Sequence, residues 1–140
     1  MITAVDTNVI VALLSADDAL NQAAHKALQA AQGRGRLVIC GAVYAELLAM
    51  PGRNEAFVDR FCDDTAIAVE WDLPEKVWRI AGRAFQSYVS RRHKEKAAEP
   101  RRILADFLIG AHALSRGYRL LTLDARVYRA AFPALPINSF

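Results

Sequence analysis

Four of the 15 acidic residues in this 140-residue chain sit where acids are costly: Asp6, Glu46, Asp106 and Asp124. Asp6 closes the apolar run of residues 2–5. Glu46 is flanked by Ala45, Leu47 and Leu48, Asp106 by Ala105 and Phe107, and Asp124 follows Leu123. A carboxylate in an apolar run is partly desolvated, and several such groups brought together repel one another. A divalent cation relieves both penalties. Mg²⁺ prefers oxygen ligands and keeps several waters, one of which can act as a nucleophile. The chemistry these residue types could perform together is metal-assisted hydrolysis.

Whether they meet depends on the elements that carry them. Residues 2–5, 37–40, 67–71 and 118–123 read as strands, and 135–138 as a fifth short one. Between them lie helical patterns. One starts after Asp6-Thr7-Asn8, a second covers about 17–31, and others cover 42–50, 54–62, a long stretch from Pro74 through Tyr88, and 103–116 with Gly117 as its stop. Residues 124–131 read as a short helix or turn. Alternating strands and helices imply a parallel sheet with helices on both faces. Ligands of such sheets bind beyond the carboxyl ends of the strands, where strand order reverses.

Asp6 and Asp124 each directly follow a strand, the first and the fourth. If those strands are neighbours, both carboxylates stand at one edge. A helix that follows a strand begins at this edge, which puts Glu46 near it, one turn into its helix. A helix that precedes a strand also starts there, which does the same for Asp106. Each acid alone has a structural role to offer: Asp6 as a helix N-cap, Asp124 as a turn or cap residue, Glu46 as a solvated helix position, Asp106 as a partner of the helix dipole. Their joint placement at one rim favours a site.

Other features bound the class. The chain is 54% hydrophobic and 24% charged, enough for one domain over residues 1–140 with its own core. The net charge of +3 is compatible with a polyanionic partner. Six of the 18 Lys and Arg fall in the segment RRHKEKAAEPRR, residues 91–102. That segment reads either as a solvated helix end and loop or as a phosphate-contacting rim through Arg91, Arg92, Arg101 and Arg102. Cys40 and Cys62 form no ligand-like spacing and are expected as buried, reduced thiols. The apolar N-terminus has no basic leader and is broken by Asp6, and no stretch approaches a membrane span, so a cytoplasmic location is expected.

The motifs Val5-Asp6-Thr7-Asn8, Ala45-Glu46-Leu47, Ile103-Leu104-Ala105-Asp106 and Leu121-Thr122-Leu123-Asp124 resemble those of PIN-domain nucleases, and most closely the VapC-type toxins of toxin–antitoxin pairs. The resemblance covers nearly the whole chain. It implies a three-layer α/β/α fold with a central parallel sheet of four to five strands. It further implies an acidic catalytic site of Asp6, Glu46, Asp106 and Asp124, with Asp6, Asp106 and Asp124 binding Mg²⁺, for which Mn²⁺ can substitute. Thr122 and Asn8 would support that site. The implied reaction is endoribonuclease cleavage by metal-activated water, leaving 5′-phosphate and 3′-hydroxyl ends. The implied partners are an RNA substrate, a cognate antitoxin and a second copy of the chain. The basic segment lies outside the family's catalytic pattern.

Three other readings compete. A haloacid-dehalogenase-type phosphohydrolase needs an acid at position 8, where this chain has Asn8. A histidine ribonuclease needs two converging imidazoles; His25, His93 and His112 show no convergence, with His93 in a charge run and His112 expected to face out from or along a packed helix. A catalytically silent PIN-like scaffold, binding RNA or protein, would be expected to have lost acids, and all four are present.

Overall fold

The computed structural model describes residues 1–95 and 103–140. Five strands, β1 (Ile2–Val5), β2 (Arg36–Cys40), β3 (Ile67–Glu70), β4 (Arg119–Leu121) and β5 (Ile137–Asn138), form one sheet in the order β3-β2-β1-β4-β5, with every pairing parallel. Seven helices connect them among the described residues: α1 (Thr7–Leu14), α2 (Asn21–Arg34), α3 (Gly41–Leu48), α4 (Glu55–Thr65), α5 (Glu75–Glu95), α6 (Leu104–Arg116) and α7 (Ala125–Ala131). Arg101 and Arg102 lie outside the described residues.

The expected α/β/α architecture is the observed one. The chain runs outward from β1 to β2 and β3, then crosses back to place β4 on the other side of β1. Strand order therefore reverses between β1 and β4, and the expected neighbourhood of these two strands is present, with Thr3, Ala4 and Val5 opposite Arg119, Leu120 and Leu121. The central strands carry apolar residues on both faces because helices cover both. Val38, Ile39, Val5, Leu120 and Leu121 are all buried. Cys40 and Cys62 are buried and unpaired, as expected.

Boundaries moved at several ends. Strand β4 stops at Leu121, so Thr122 and Leu123 already belong to the loop that delivers Asp124. Helix α2 starts at Asn21 rather than near Asp17 and continues through Gly33 to Arg34. Helix α5 runs on to Glu95, which puts Arg91 and Arg92 on helix, not in a loop.

Gly110 needs its missing side chain. A Cβ there would lie 2.3 Å from the Phe132 ring just beyond α7. Gly110 is one turn past Asp106, and Phe132 is one turn past Tyr128. The close approach at Gly110 thus seats the Phe132 ring against α6, one turn along the chain from Asp106 on one side and from Tyr128 on the other.

Candidate active site

Asp6 directly follows β1 and occupies the N-cap position of α1, yet its side chain makes no capping hydrogen bond. Asp124 likewise occupies the N-cap of α7 without capping it. Neither side chain therefore serves as a helix cap.

Asp6 is 4% exposed. Its Oδ2 accepts a 2.8 Å hydrogen bond from the Thr122 hydroxyl. That hydroxyl also accepts from the Asp124 backbone N–H at 2.9 Å and from the Asn8 side-chain amide at a long 3.5 Å. One donor and two acceptor sites are all that a hydroxyl has, so Thr122 is fully committed to holding Asp6 against the loop that carries Asp124. Asn8 fixes the same loop from the other side, its Oδ1 accepting from the Leu123 N–H at 3.2 Å. Thr122 and Asn8, the two residues expected to support the site, are thus hydrogen-bonded to Asp6 and to the loop that carries Asp124.

The electrostatics run against Asp6. Burial, with a smaller push from the Asp106 carboxylate, raises its pKa from 3.8 to about 6 against the lowering pull of Thr122. Asp106 lies in the first turn of α6 and is half-buried. Glu46, also half-buried, accepts a 2.6 Å hydrogen bond from the Thr7 hydroxyl, which links α3 to α1. Tyr128 completes the group. Its phenol is buried and driven strongly up, by desolvation first and then by the charges of Asp6, Asp106 and Glu46. The Tyr128 hydroxyl is near enough to Asp6 to ease its ionisation, but it makes no hydrogen bond of regular geometry among the described residues.

Asp6, Asp106 and Glu46 therefore share one electrostatic neighbourhood, centred on Tyr128. Asp124 is tied to it through its backbone N–H. Among the described residues no three His, Cys, Asp or Glu side chains are grouped tightly enough to hold an ion by themselves. A Mg²⁺ site does not require that, since this cation is typically held by one or two carboxylates and completes its shell with water and substrate oxygens. The donor set fits such an ion: all oxygen, with one carboxylate buried and its ionisation opposed by lost hydration and by Asp106.

Residues 3–133 match the family model of the PIN domain. The chain belongs to the PIN domain family. PIN domains are typically nucleases. Three solved structures share the PIN fold along nearly their whole length. They are VapBC2 from Rickettsia felis bound to a DNA fragment from its promoter (TM-score 0.68, 19% identity, 99% of this chain and 98% of that one), VapBC-1 from nontypeable Haemophilus influenzae (0.66, 20%, 99% and 98%) and FitAcB from Neisseria gonorrhoeae (0.61, 18%, 98% and 96%). No curated protein matches by sequence.

Two contributors were missed in the sequence. Thr7 sits inside the Asp-Thr-Asn motif, but nothing local pointed it at Glu46, 39 residues away. Tyr128 is one helical turn after Asp124, a spacing that places both on one face of α7, and that signal was available. His112 differs from its expected place. It is 1% exposed, with Nε2 2.8 Å from Glu70 Oε1, and Tyr118 donates to the other Glu70 oxygen at 2.8 Å. An ionised carboxylate only accepts, so Nε2 carries the proton. Desolvation lowers the His112 pKa, which keeps the ring neutral. This trio binds α6 to β3 and has no part in the acidic group. Of the four arginines proposed to contact phosphate, Arg91 is exposed and Arg92 half-exposed on the last turns of α5.

Among the described residues no helix is long and apolar enough to cross a membrane.

Proposed function

We propose that this PIN domain is a Mg²⁺-dependent endoribonuclease and the toxin of a toxin–antitoxin pair, acting in the cytoplasm as a homodimer and restrained by a small antitoxin. The observation that carries the nuclease reading is Asp6: a buried carboxylate at the strand-order reversal, uncapped, fixed by Thr122 and opposed by Asp106. The toxin reading is supported by the whole-length likeness to chains of VapBC and FitAB complexes.

Asp6, Asp106 and Asp124 are the proposed cation ligands. When bound, Mg²⁺ or Mn²⁺ supplies charge neutralisation at the phosphate and a water of lowered pKa. The protein's own groups then have defined tasks. Thr122 orients the Asp6 carboxylate, and Asn8 holds the loop that presents Asp124. Glu46, steadied by Thr7, is the proposed acceptor of a proton from attacking water. Attack by water leaves a 5′-phosphate and a 3′-hydroxyl. An acidic group of this kind also attracts a cationic side chain, and an Arg or Lys on an antitoxin tail is the expected competitor of the metal.

Calorimetric titration of Mn²⁺ into the wild type and into Asp6→Asn tests the metal assignment. Binding in the wild type that is lost in the variant is expected. Equal binding by both would remove Asp6 from the ligand set. Co-expression with the neighbouring small reading frame tests the toxin assignment. It should yield a complex and relieve toxicity, and failure on both counts would leave only the nuclease.

A further inference from the structure

A cleft of about 620 Å³ opens between α2 and the β5 edge, lined by Lys26, Arg34, Arg129, Asn138, Ser139 and Phe140 among others. Three of its lining residues are cationic and none is Asp or Glu. Lys26, Arg34 and Arg129 are exposed, and none forms an ion pair among the described residues. On a protein of net charge +3 with nearly balanced acids and bases, a pocket whose charged side chains are all cationic is a local concentration of field. Clefts of this kind gather counter-charged ligands.

The arrangement suits a chain of anions better than a single one. Lys26 and Arg34 stand on the same helix eight residues apart, roughly 12 Å along its axis at 1.5 Å per residue. Arg129 faces them from α7. Asn138 and Ser139 add neutral polar groups, and the Phe140 ring is 38% exposed at the border. Cations that follow a backbone, beside an aromatic face on which a base can stack, are the elements of sequence-tolerant single-strand binding.

The cleft shares elements with the acidic site. Leu121 lines it, and the next residue, Thr122, holds Asp6. Arg129 lines it, and the preceding residue, Tyr128, lies in the field of Asp6 and Asp106. Helix α7 thus has Asp124 at its start and a cleft cation near its end.

We infer that the α2–α7–β5 cleft is a binding track for the sugar-phosphate backbone of a single-stranded RNA, leading the strand to or from the acidic site. The inference rests on the nuclease reading for its direction, but its test does not depend on cleavage. Binding of a fluorescein-labelled single-stranded oligoribonucleotide is followed by anisotropy in EDTA, over a series of salt concentrations. Three proteins are compared: the wild type, Lys26→Gln/Arg34→Gln/Arg129→Gln, and a control, Arg60→Gln/Lys76→Gln/Arg83→Gln, that removes the same net charge from exposed positions on α4 and α5. The cleft variant should bind at least tenfold more weakly. Its dependence of log affinity on log salt should flatten by about 2, since each phosphate that is no longer neutralised removes roughly 0.7 from the slope. The control should keep the wild-type slope. Equal losses in both variants, or none in the cleft variant, would overturn the track and leave the nuclease reading standing. Absence of RNA binding by the wild type would overturn the track as well, and if the wild type also cut no RNA with Mg²⁺ present, the nuclease reading would fall separately.

Discussion

Asp6 and His112 are both almost fully buried, and both are displaced from ordinary titration first of all by lost hydration. Their surroundings differ. His112 meets a carboxylate, Glu70, which is satisfied a second time by Tyr118. Asp6 meets the Thr122 hydroxyl, with lesser help from Tyr128 and the Thr7 backbone, and a second carboxylate of like charge, and the net effect still opposes its ionisation. The first is a closed polar network that ties a helix to an edge strand. The second is a charge held against its own electrostatic interest, which a cation would reverse. Burial of an ionisable group is shared by both. What separates a structural network from a candidate site is whether the remaining field opposes the charged form.

The difference should be widest in activity. Asp6→Asn or Asp106→Asn is expected to reduce RNA cleavage by more than about a hundredfold, because each removes a proposed metal ligand. His112→Leu should leave the rate per folded molecule within a few-fold. Single-turnover cleavage of a labelled RNA in Mg²⁺ gives both values. Wild-type rates from either acid variant would dissolve the proposed site.

Stability should invert the order. His112→Leu deprives Glu70 of one donor in a partly buried setting, and a cost of about 1–3 kcal/mol is expected. Asp6→Asn removes a desolvated charge facing Asp106. In EDTA at neutral pH it should stabilise the fold by about 1–3 kcal/mol, since a raise from 3.8 to about 6 corresponds to a penalty of that order. Urea unfolding measures both, and a destabilised Asp6→Asn protein would refute the strain assigned to Asp6.

The pH dependences should oppose each other as well. Asp6 has a raised folded-state pKa, so the folded chain holds the proton longer. Its favourable contribution is present below about 3.8 and is lost as pH rises toward about 6. His112 is lowered from 6.5, so the folded chain resists protonation there, and stability is lost as pH falls below 6.5. Glu70 adds in the same direction as His112: desolvation raises it, but the hydrogen bonds from Tyr118 and His112 outweigh that and leave it lowered. Subtracting the Asp6→Asn unfolding profile from that of the metal-free wild type should therefore leave a component that falls between about pH 4 and 6. A rising or flat difference would contradict the assignment.

Much of this was legible in the sequence. The strand–helix alternation implied the layers, and element directions alone brought Asp6, Glu46, Asp106 and Asp124 to one edge. The unread part was non-local. Nothing near Thr7 specifies Glu46, and the Thr122 hydroxyl reaches a carboxylate 116 positions away. His112 lies on a helix apolar around most of its turns, so periodicity could not tell an outward ring from one buried against β3. Lys26, Arg34 and Arg129 are scattered in the chain and line one cleft only in the fold, whereas the basic run at 91–102 is conspicuous in the sequence because its cations are adjacent.

Smaller effects sharpen the picture. Thr122→Val should lower activity roughly 10-fold, the usual scale for a residue that orients a metal ligand, whereas Thr122→Ser should restore it because only the hydroxyl is needed. Equal loss in both would assign Thr122 to packing. Replacement of Arg91, Arg92, Arg101 and Arg102 by Ala should weaken RNA binding and flatten its salt dependence, with little change in cleavage at saturating RNA. An unchanged salt slope would make the segment a solvated surface.

The most direct measurement is end-group analysis of a single RNA digested by the wild-type protein with Mg²⁺ and, in parallel, with EDTA. Cleavage that requires the metal, stops in EDTA and leaves 5′-phosphate and 3′-hydroxyl ends is the outcome expected of an acidic metal site built on Asp6 and Asp106. Undiminished cleavage in EDTA with 2′,3′-cyclic phosphate ends would contradict it and return the chemistry to a metal-independent acid–base mechanism.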